Sequence, residues 1–260
     1  MTRPDFDTPL LKIAGLSKSF GGFQAVSNVG FELQAGRIGG LIGPNGAGKT
    51  TLFNMLAGMI PADQGSVTLD GKSILGRAPH QVFAAGLVRT FQIPRPFPEM
   101  TVLENAMIVP LGQAGEQFWS NWVRPGAVRR QEEALRAKAE EILEFCGLTR
   151  VRGDAAATLS GGQLKLLELA RVLMADPKII LLDEPAAGVN PSLMRDLVDR
   201  IVELNKRGHT FLIIEHNMDV VMSVCDPIMV MAQGQLIYRG DAEGARSDDA
   251  VLDAYLGDLP

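Results

Sequence analysis

Residues 43–50, Gly-Pro-Asn-Gly-Ala-Gly-Lys-Thr, decide the fold of this chain. The stretch matches the pattern G-x-x-x-x-G-K-[ST] at every position. It follows a strand-like segment, residues 38–42, and it precedes a helix predicted over residues 51–57 that ends at Gly58. The glycines allow backbone N–H groups to converge on phosphate oxygens at the N-terminus of that helix. The stretch therefore predicts an α/β fold with a nucleoside triphosphate site, because a chance Gly-rich turn would not explain both flanking segments.

Two side chains in this stretch have distinct expected tasks. Lys49 would place a positive charge on the outer phosphates, and Thr50 would offer its hydroxyl to Mg²⁺. This chemistry does not distinguish a kinase, a GTPase and a transport ATPase. The residues expected to bind the nucleotide are Gly43, Pro44, Asn45, Gly46, Ala47, Gly48, Lys49, Thr50 and Thr51.

Two carboxylates follow a second apolar segment, residues 179–182. A continuous apolar run of this kind is typical of a parallel strand that is buried on both faces. Ligands of open α/β sheets bind outside the carboxyl ends of the strands, so we expect Asp183 and Glu184 beside the phosphates. Asp183 suits a contact to Mg²⁺, and Glu184 suits polarising a water molecule for attack on the γ-phosphate. The alternative, two solvated acids, is weak in a chain that also has the phosphate-binding stretch.

A second helix start has the composition of an anion site. Residues 159–163, Leu-Ser-Gly-Gly-Gln, precede a helix predicted over residues 164–174. Ser160 is a good N-cap, so an ordinary capped helix is one interpretation. Gly161 and Gly162 are poor helix formers, however, and they would permit close approach of the backbone to an anion. The sequence thus predicts two helix termini that are suited to phosphate.

Composition limits the remaining possibilities. The 260 residues allow one large domain or two small ones, and 46% hydrophobic with 21% charged residues is typical of a globular protein. The formal net charge of −5 argues against a nucleic-acid partner. Cys146 and Cys225 lie far apart without metal-ligand spacing, which indicates a reducing, cytosolic compartment. No apolar run approaches the roughly 18 residues of a membrane span, and residues 1–9 lack the core of a signal peptide, so we expect a soluble isolated chain.

The order of segments is that of an α/β protein with an insertion. Strand signals dominate residues 10 to about 90, helical signals dominate about 95 to 175, and strands then alternate with helices. Helices are predicted over residues 129–145 and 191–206, a strand over 210–215, and a hairpin over 228–240 around Gln233 and Gly234.

The phosphate-binding stretch, Leu-Ser-Gly-Gly-Gln and Leu-Leu-Asp-Glu together resemble the ATP-binding subunits of ABC transporters, over essentially the whole chain. Further family marks occur in order: Phe20 at the adenine-stacking position, Gln92 in the Q-loop, Asn190 in the D-loop region and His216 as the switch histidine. Phe20 replaces the more common Tyr but keeps the π-face that stacks on a base. Asn190 replaces the more frequent Asp with an amide that can both donate and accept hydrogen bonds.

The resemblance implies a fold and a division of the chain. The fold is a P-loop NTPase (RecA-like) core with an N-terminal antiparallel β subdomain and an inserted α-helical subdomain that contains the Leu-Ser-Gly-Gly-Gln signature. Residues 1–92 and 176–260 would form the core with the β subdomain, about 93–175 the helical subdomain, and about 240–260 a C-terminal tail.

The resemblance also implies an ATP sandwich. The P-loop of one subunit and the signature of its partner enclose the same nucleotide in a two-fold homodimer or a heterodimer of paralogues. Glu184, His216 and Gln92 would be catalytic, with Glu184 as general base or water-orienting group and His216 on the γ-phosphate. Thr50, Gln92 and Asp183 would hold Mg²⁺. Contacts to the partner's ATP would come from Ser160, Gly161, Gly162 and Gln163.

Several segments resemble one subfamily, the ATPases that power importers of branched-chain (hydrophobic) amino acids. These segments are residues 86–92, 96–105, 184–191, 214–218 and 251–256. Such an ATPase lies peripherally on the cytoplasmic face of the inner membrane, with two transmembrane permease subunits and an extracytoplasmic solute-binding protein as further partners. ATPases of urea or amide import and of lipopolysaccharide export share several of these segments. A soluble ABC ATPase of iron–sulfur cluster assembly and a nucleotide-binding regulator without hydrolysis are further alternatives.

The permease is expected to contact the segment that follows Gln92. In the family, helices after this position form a groove for a cytoplasmic coupling helix. Residues 93–110 are rich in Pro, Phe and Met, which suits the recognition of a helix by an apolar surface, although ordinary core packing is the alternative. We expect Phe97 and Met100 to contact the permease.

Overall fold

The computed structural model describes residues 9–90, 96–111, 125–185, 187–188 and 191–256. Its contacts divide the chain into two compact units. The first unit comprises Met1–Arg89, Lys178–Ala187 and Val198–Pro260, and the second unit comprises Thr90–Pro177 and Gly188–Leu197. Within the described ranges, no helix combines the length and the apolar character that crossing a membrane requires.

The strands of the first unit form two sheets. In chain order they are β1 (Pro9–Phe20), β2 (Phe23–Gln34), β3 (Ile38–Ile42), β4 (Gln64–Leu69), β5 (Lys72–Ser73), β6 (Leu87–Arg89), β7 (Ile179–Asp183), β8 (Thr210–Ile214), β9 (Ile228–Ala232) and β10 (Gln235–Gly240). A four-stranded antiparallel sheet has the order β2-β1-β4-β5. A six-stranded sheet has the order β10-β9-β3-β8-β7-β6, in which only β10 pairs antiparallel to its neighbour.

The central strands of the six-stranded sheet are buried throughout, as their apolar runs predict. All residues of β3, β7 and β8 are buried. Because β3, β8 and β7 are parallel neighbours, their carboxyl ends meet at one edge of the sheet. The strand that begins at residue 179 continues one residue further than predicted, to Asp183, and β8 ends one residue earlier, at Ile214. The sequence-based prediction of the hairpin is confirmed, with Gln233 and Gly234 both at positive φ in its turn.

The helices are α1 (Lys49–Leu56), α2 (Pro79–Ala84), α3 (Val102–Met107), α4 (Pro125–Phe145), α5 (Gly161–Met174), α6 (Pro191–Lys206), α7 (Met218–Val224), α8 (Ala242–Ser247) and α9 (Asp249–Leu256). The bounds predicted for α6 are confirmed. The predictions for α1, α4 and α5 placed the helix start two to four residues too late. In α1 and α5 the reason is the cap: Gly48 and Ser160 occupy the N-cap, so the glycines and polar residues that follow already belong to the helix.

Each unit has a hydrophobic core of its own. In the first unit, one cluster joins the faces of both sheets to α1, and its largest fully buried side chains include Phe53, Leu41 and Leu52. In the second unit, Ala106, Ala139 and Met174 bring α3, α4 and α5 together. These cores pack against the strands and helices whose ends carry the candidate site residues. The backbone positions of those residues are therefore fixed by regular secondary structure.

Candidate active site

The phosphate-binding stretch forms a tight turn between β3 and α1 in which glycine is required at two positions. Gly43 has φ +146°, and a Cβ there would lie 2.0 Å from the Met231 carbonyl oxygen. Gly48 has φ +96°, and a Cβ there would lie 2.3 Å from the Ala25 carbonyl oxygen. Both obstacles are backbone atoms, which cannot rotate away. The turn can therefore wrap an anion with its N–H groups only because both positions lack a side chain.

Lys49 is buried at the centre of this turn. Its side chain is 6% exposed, and its Nζ donates to the carbonyl oxygens of Gly43 at 2.7 Å and Pro44 at 2.9 Å. Burial lowers the pKa of the Lys49 ammonium, and the charges of Glu184 and Asp183 oppose that shift. A cation held by neutral carbonyl groups close to two carboxylates is suited to neutralising the phosphate charge of a bound nucleotide.

A cleft of about 350 Å³ opens beside the turn, a volume within the ordinary range of about 300–1,000 Å³ for ligand clefts. Two aromatic rings, the start of α1 and two polar side chains contribute to its lining. Its lining residues are Phe20, Phe23, Ala25, Asn45, Gly46, Ala47, Gly48, Lys49, Thr50, Thr51, Glu184 and His216. The cleft thus brings the two aromatic rings, the turn before α1 and the side chains of Glu184 and His216 together in one continuous space.

The aromatic part of the cleft comes from the hairpin that joins β1 to β2. Phe20 and Phe23 flank the turn Gly21-Gly22, and their side chains are 49% and 65% exposed. Lys18 Nζ lies 5.5 Å from the centroid of the Phe20 ring. Two exposed rings beside a phosphate site form a platform on which a nucleotide base can stack. The sequence interpretation selected Phe20 but missed Phe23, although the short aromatic–Gly–Gly–aromatic spacing is a usable signal for it.

Replacing Phe20 by Ala should weaken ATP binding by about 1–3 kcal/mol, which is what stacking of one base on an aromatic ring contributes. Phe20→Tyr should bind ATP like the unmodified chain because the π-face is kept. Calorimetric titration with ATP measures both dissociation constants. Phe23→Ala is the matched control, since it removes the second ring of the same hairpin. A loss of affinity in Phe23→Ala alone would show that the base lies on the other ring.

The two residues that the sequence interpretation predicts to be catalytic form a carboxylate–imidazole pair. Glu184 Oε1 lies 2.8 Å from His216 Nε2. Glu184 directly follows β7 and has φ +48°, an uncommon conformation for a residue other than glycine, and its N–H donates to the Ile214 carbonyl oxygen at 2.9 Å. Strained backbone of this kind costs about 1–3 kcal/mol and is concentrated at functional sites. The strand end thus aims the Glu184 carboxylate at the histidine that follows the neighbouring strand.

The Glu215 carboxylate holds the backbone of His216 in place. Its side chain is 4% exposed, and its Oε2 accepts hydrogen bonds from the backbone N–H groups of His216 at 3.0 Å and Asn217 at 3.3 Å. The carboxylate therefore fixes the turn between β8 and α7 from which His216 projects. The sequence interpretation missed this role, and a buried acid directly after a continuous apolar strand is the signal that could have found it.

Asp183, the other carboxylate at the end of β7, has a different neighbour. It is 5% exposed, and its Oδ2 forms an ion pair of 2.6 Å with Arg89 Nη2. Arg89 is the last residue of β6, which is the strand beside β7. The sequence interpretation assigned no role to this arginine. Asp183 and Thr50 remain suitable oxygen donors for a hard cation such as Mg²⁺.

The Leu-Ser-Gly-Gly-Gln signature lies in the second unit, at the start of α5. Ser160 is the N-cap, and it shares a capping box with Gln163, in which Ser160 Oγ accepts from Gln163 N at 3.3 Å and Gln163 Oε1 accepts from Ser160 N at 2.9 Å. A Cβ at Gly161 would meet no atom within 4 Å, whereas one at Gly162 would lie 2.0 Å from a terminal methyl group of Leu193. Within the described residues, no atom outside the backbone of its own helix stands in the way of a Cβ at Gly161.

Phe97 lies on an exposed turn of the second unit that Asn105 holds in place. Asn105 is fully buried; its Oδ1 accepts from Phe97 N at 2.8 Å, and its Nδ2 donates to the carbonyl oxygens of Phe97 at 3.0 Å and Met100 at 3.2 Å. The Phe97 ring is 48% exposed, with the Arg171 guanidinium 5.9 Å from its centroid. Met100 is partly buried. The turn therefore presents an aromatic ring to the outside from a rigid backbone.

Two predicted site residues, Gln92 and Asn190, lie outside the described residues. Within the described residues, the first unit brings together the phosphate-binding stretch, Phe20, Glu184 and His216 in one cleft. The signature residues belong to the second unit.

Comparison with known proteins gives a consistent result along the chain. A family model described as ABC transporter matches residues 26–187. A protein of Archaeoglobus fulgidus named as a probable branched-chain amino acid transport ATP-binding protein is 45% identical over 248 residues, which cover 95% of either chain. An Escherichia coli K12 protein named as a high-affinity branched-chain amino acid transport ATP-binding protein is 40% identical over 251 residues, 96% of this chain and 98% of the relative. A crystal structure of the ADP conformation of an ATP-binding cassette of an ABC transporter superposes with a TM-score of 0.81 at 38% identity, covering 96% of this chain and 100% of that one.

Proposed function

The chain belongs to the ABC transporter family of ATP-binding subunits, whose members are ATPases coupled to transport, and we propose that it powers the import of branched-chain or related amino acids. Its P-loop NTPase fold, expected from the sequence, is that of the solved cassettes. The observation that supports hydrolysis best is the 2.8 Å pair of Glu184 and His216 in the cleft that contains Lys49. The relatives' names support the amino acid substrate and do not favour urea import, lipopolysaccharide export or iron–sulfur cluster assembly.

The proposed reaction is attack of water on the γ-phosphate of ATP, which breaks the bond between the γ-phosphorus and the β–γ bridging oxygen and releases ADP and inorganic phosphate. The turn around Gly43 and Gly48 binds the phosphates through N–H groups, and Lys49 compensates their charge. Glu184 orients the attacking water and accepts its proton. His216 holds the Glu184 carboxylate in place at 2.8 Å. From the family resemblance, it would also contact the γ-phosphate. Catalysis of phosphoryl transfer is mostly positioning and charge stabilisation, which matches a site made of fixed strand ends and a helix terminus.

We propose that Mg²⁺ accompanies the nucleotide. The Thr50 hydroxyl and the Asp183 carboxylate fit such an ion because both are hard oxygen donors, and Gln92 is proposed as a third ligand from the family resemblance. Mg²⁺ binds few protein groups and takes its other ligands from phosphates and water, so two or three side chains suffice. When bound, the ion would neutralise charge on the outer phosphate oxygens.

We propose that the working form is a dimer with a second ABC ATPase subunit, either identical or paralogous. Gly161 supports this proposal, because it is open, non-essential for packing and placed at a helix N-terminus. Ser160, Gly161, Gly162 and Gln163 would close over the partner's ATP, and Asn190 of the D-loop region would contact the partner. Two transmembrane permease subunits and an extracytoplasmic solute-binding protein complete the proposed transporter, with this chain on the cytoplasmic face of the inner membrane.

Uptake into proteoliposomes tests the substrate. The chain would be reconstituted with the permease subunits encoded beside its gene, and accumulation of radiolabelled leucine would be compared with that of urea. ATP-dependent accumulation of leucine but not of urea is expected. Accumulation of urea alone, or ATP-dependent extraction of lipid from the vesicles, would replace the amino acid proposal by one of the other transport functions.

Replacing Phe97 by Ala should weaken the binding of this chain to its permease by about 10-fold or more, as loss of a buried aromatic anchor does at protein interfaces. The ATP affinity should not change, since Phe97 belongs to the second unit and the ATP cleft to the first. Binding to the permease in detergent measures the effect. Leu111→Ala is the matched control, because Leu111 is another exposed apolar residue of the second unit. An equal loss of permease and ATP binding would show that Phe97 is needed for folding instead.

A further inference from the structure

We propose that Arg89 is a positioning residue of the ATPase site, which fixes the Asp183 carboxylate against α1 so that Asp183 is pre-oriented for Mg²⁺. This inference rests on the proposed function, because it adds a residue to the same site. It assigns a task to a buried arginine that the sequence interpretation had not singled out.

The contacts of Arg89 span two elements of the site. One terminal nitrogen, Nη2, donates to Asp183 Oδ2 at 2.6 Å, at the end of β7. The other, Nη1, donates to Asn54 Oδ1 at 2.5 Å, on α1. The guanidinium carbon lies 5.8 Å from the centroid of the Phe53 ring, also on α1. A single planar group therefore sets the position of the carboxylate relative to the helix that begins with Lys49 and Thr50.

The burial of this pair shows that it is not a surface ion pair. The side chains of Arg89 and Asp183 are only 10% and 6% exposed. Desolvation of two charges offsets much of their attraction, so a buried ion pair contributes little net stability compared with apolar side chains of the same volume. Among the residues that the structure describes, Arg89 Nε moreover has no hydrogen-bond partner although it is buried, which is a further cost. A costly arrangement in a well-packed sheet is better explained by the orientation of Asp183 than by stability.

The guanidinium is the group that this geometry needs. Its two terminal nitrogens point in fixed directions, so they can bind Asp183 and Asn54 at the same time. A lysine would place one ammonium between the two oxygens and could not hold both in a fixed plane. Arg89 also ends β6, directly before the segment that contains Gln92.

The test is how strongly Mg²⁺ tightens nucleotide binding. Dissociation constants of adenylyl imidodiphosphate, a non-hydrolysable ATP analogue, would be measured in EDTA and in excess Mg²⁺ for the unmodified chain, Arg89→Met and Arg89→Lys. In Arg89→Met the tightening by Mg²⁺ should fall about 10–100-fold, as it does when residues that orient a metal ligand are removed, with no change in EDTA. In Arg89→Lys the tightening by Mg²⁺ should lie between the values of the unmodified chain and Arg89→Met, because lysine keeps the positive charge but not the two terminal nitrogens of the guanidinium. Arg37→Met removes an exposed ion pair of the same unit and should behave like the unmodified chain.

Each outcome decides one point. Unchanged tightening by Mg²⁺ in Arg89→Met and Arg89→Lys, with only a lower melting temperature, would reduce Arg89 to a structural residue. If Arg89→Met does not fold, Asn54→Ala is the second variant, because it keeps the ion pair with Asp183 and the contact with Phe53 and removes only the hydrogen bond from Arg89 to α1. Asn54→Ala should still reduce the tightening of nucleotide binding by Mg²⁺. A tightening equal to that of the unmodified chain would overturn the proposal. If Arg89→Met also binds the nucleotide analogue more weakly in EDTA, the proposal that Arg89 acts through the Mg²⁺ ligand would be contradicted. Mg²⁺-dependent ATP hydrolysis by the unmodified chain is measured separately, so the proposed function stands or fails independently of Arg89.

Discussion

Replacing Glu184 by Gln should lower steady-state ATP hydrolysis by about 100-fold or more, which is the usual contribution of a general base. The amide cannot accept a proton from the attacking water, although it fills the same space. It can still hydrogen bond to His216, whose Nε2 lies 2.8 Å from the carboxylate oxygen. ATP binding should persist because the phosphate-binding turn and Lys49 are untouched. The variant should therefore accumulate in an ATP-bound state.

The backbone at position 184 should be the same in the unmodified chain and in Glu184→Gln. Glu184 has φ +48°, and Gln tolerates that conformation no worse than Glu does, so no change in folding is expected. Phosphate release measures hydrolysis, and gel filtration with ATP and Mg²⁺ measures the trapped dimer. Glu203→Gln is the matched control, since it makes the same change at an exposed ion pair of the same unit. Undiminished turnover in Glu184→Gln would refute the assignment of the general base.

Replacing Gly161 by Asp should abolish ATP-dependent dimerisation while leaving the subunit folded. Gly161 is the first residue of α5, and a Cβ added there would meet no atom of the described residues within 4 Å outside the backbone of its own helix. An acid in the first turn of a helix adds about 0.3–1 kcal/mol of stability, so the melting temperature should stay constant or rise. If the signature closes on the partner's γ-phosphate, the same carboxylate repels it, and like charges brought together at an interface cost several kcal/mol. The melting temperature should thus be kept or raised while ATP-dependent dimerisation is lost.

Dimerisation is best measured in the Glu184→Gln background, in which ATP is not consumed. Gly153→Asp is the matched control, because Gly153 belongs to the same unit and a Cβ there also meets no atom within 4 Å. It should dimerise normally despite the same added charge. ATP binding to a single subunit should be equal in both variants. Normal dimerisation of Gly161→Asp would exclude the proposed closure of the signature over a partner's nucleotide.

Much of the local architecture could be predicted from the sequence because it depends on neighbouring residues alone. Glycines at 43 and 48 determine the phosphate-binding turn, since backbone conformation and side-chain size are local properties. Continuous apolar runs predict β7 and β8. The family could also be recognised from these segments, which the comparisons then confirmed.

The helix bounds were predicted less well than the existence of the helices. The predicted starts of α1, α4 and α5 were late because a polar or glycine-rich first turn does not show the apolar periodicity of the helix that follows. The sequence interpretation also missed the hairpin phenylalanine Phe23. Its spacing from Phe20 across Gly21-Gly22 is a usable signal, but only the structure shows that Phe23 borders the cleft.

By itself, the sequence determined the chemical groups of this site: an anion-binding turn, two carboxylates after a strand and a histidine after another. Only the tertiary structure decided which groups meet. Glu184 and His216 are 32 residues apart, and Arg89 and Asp183 are 94 residues apart, yet each pair lies within hydrogen-bonding distance. The physical reason is the strand order, which puts β8 and β6 on either side of β7. Hydrophobic patterns reveal that a strand is buried but not which strand lies beside it, so the partner of each carboxylate depends on the assembled sheet.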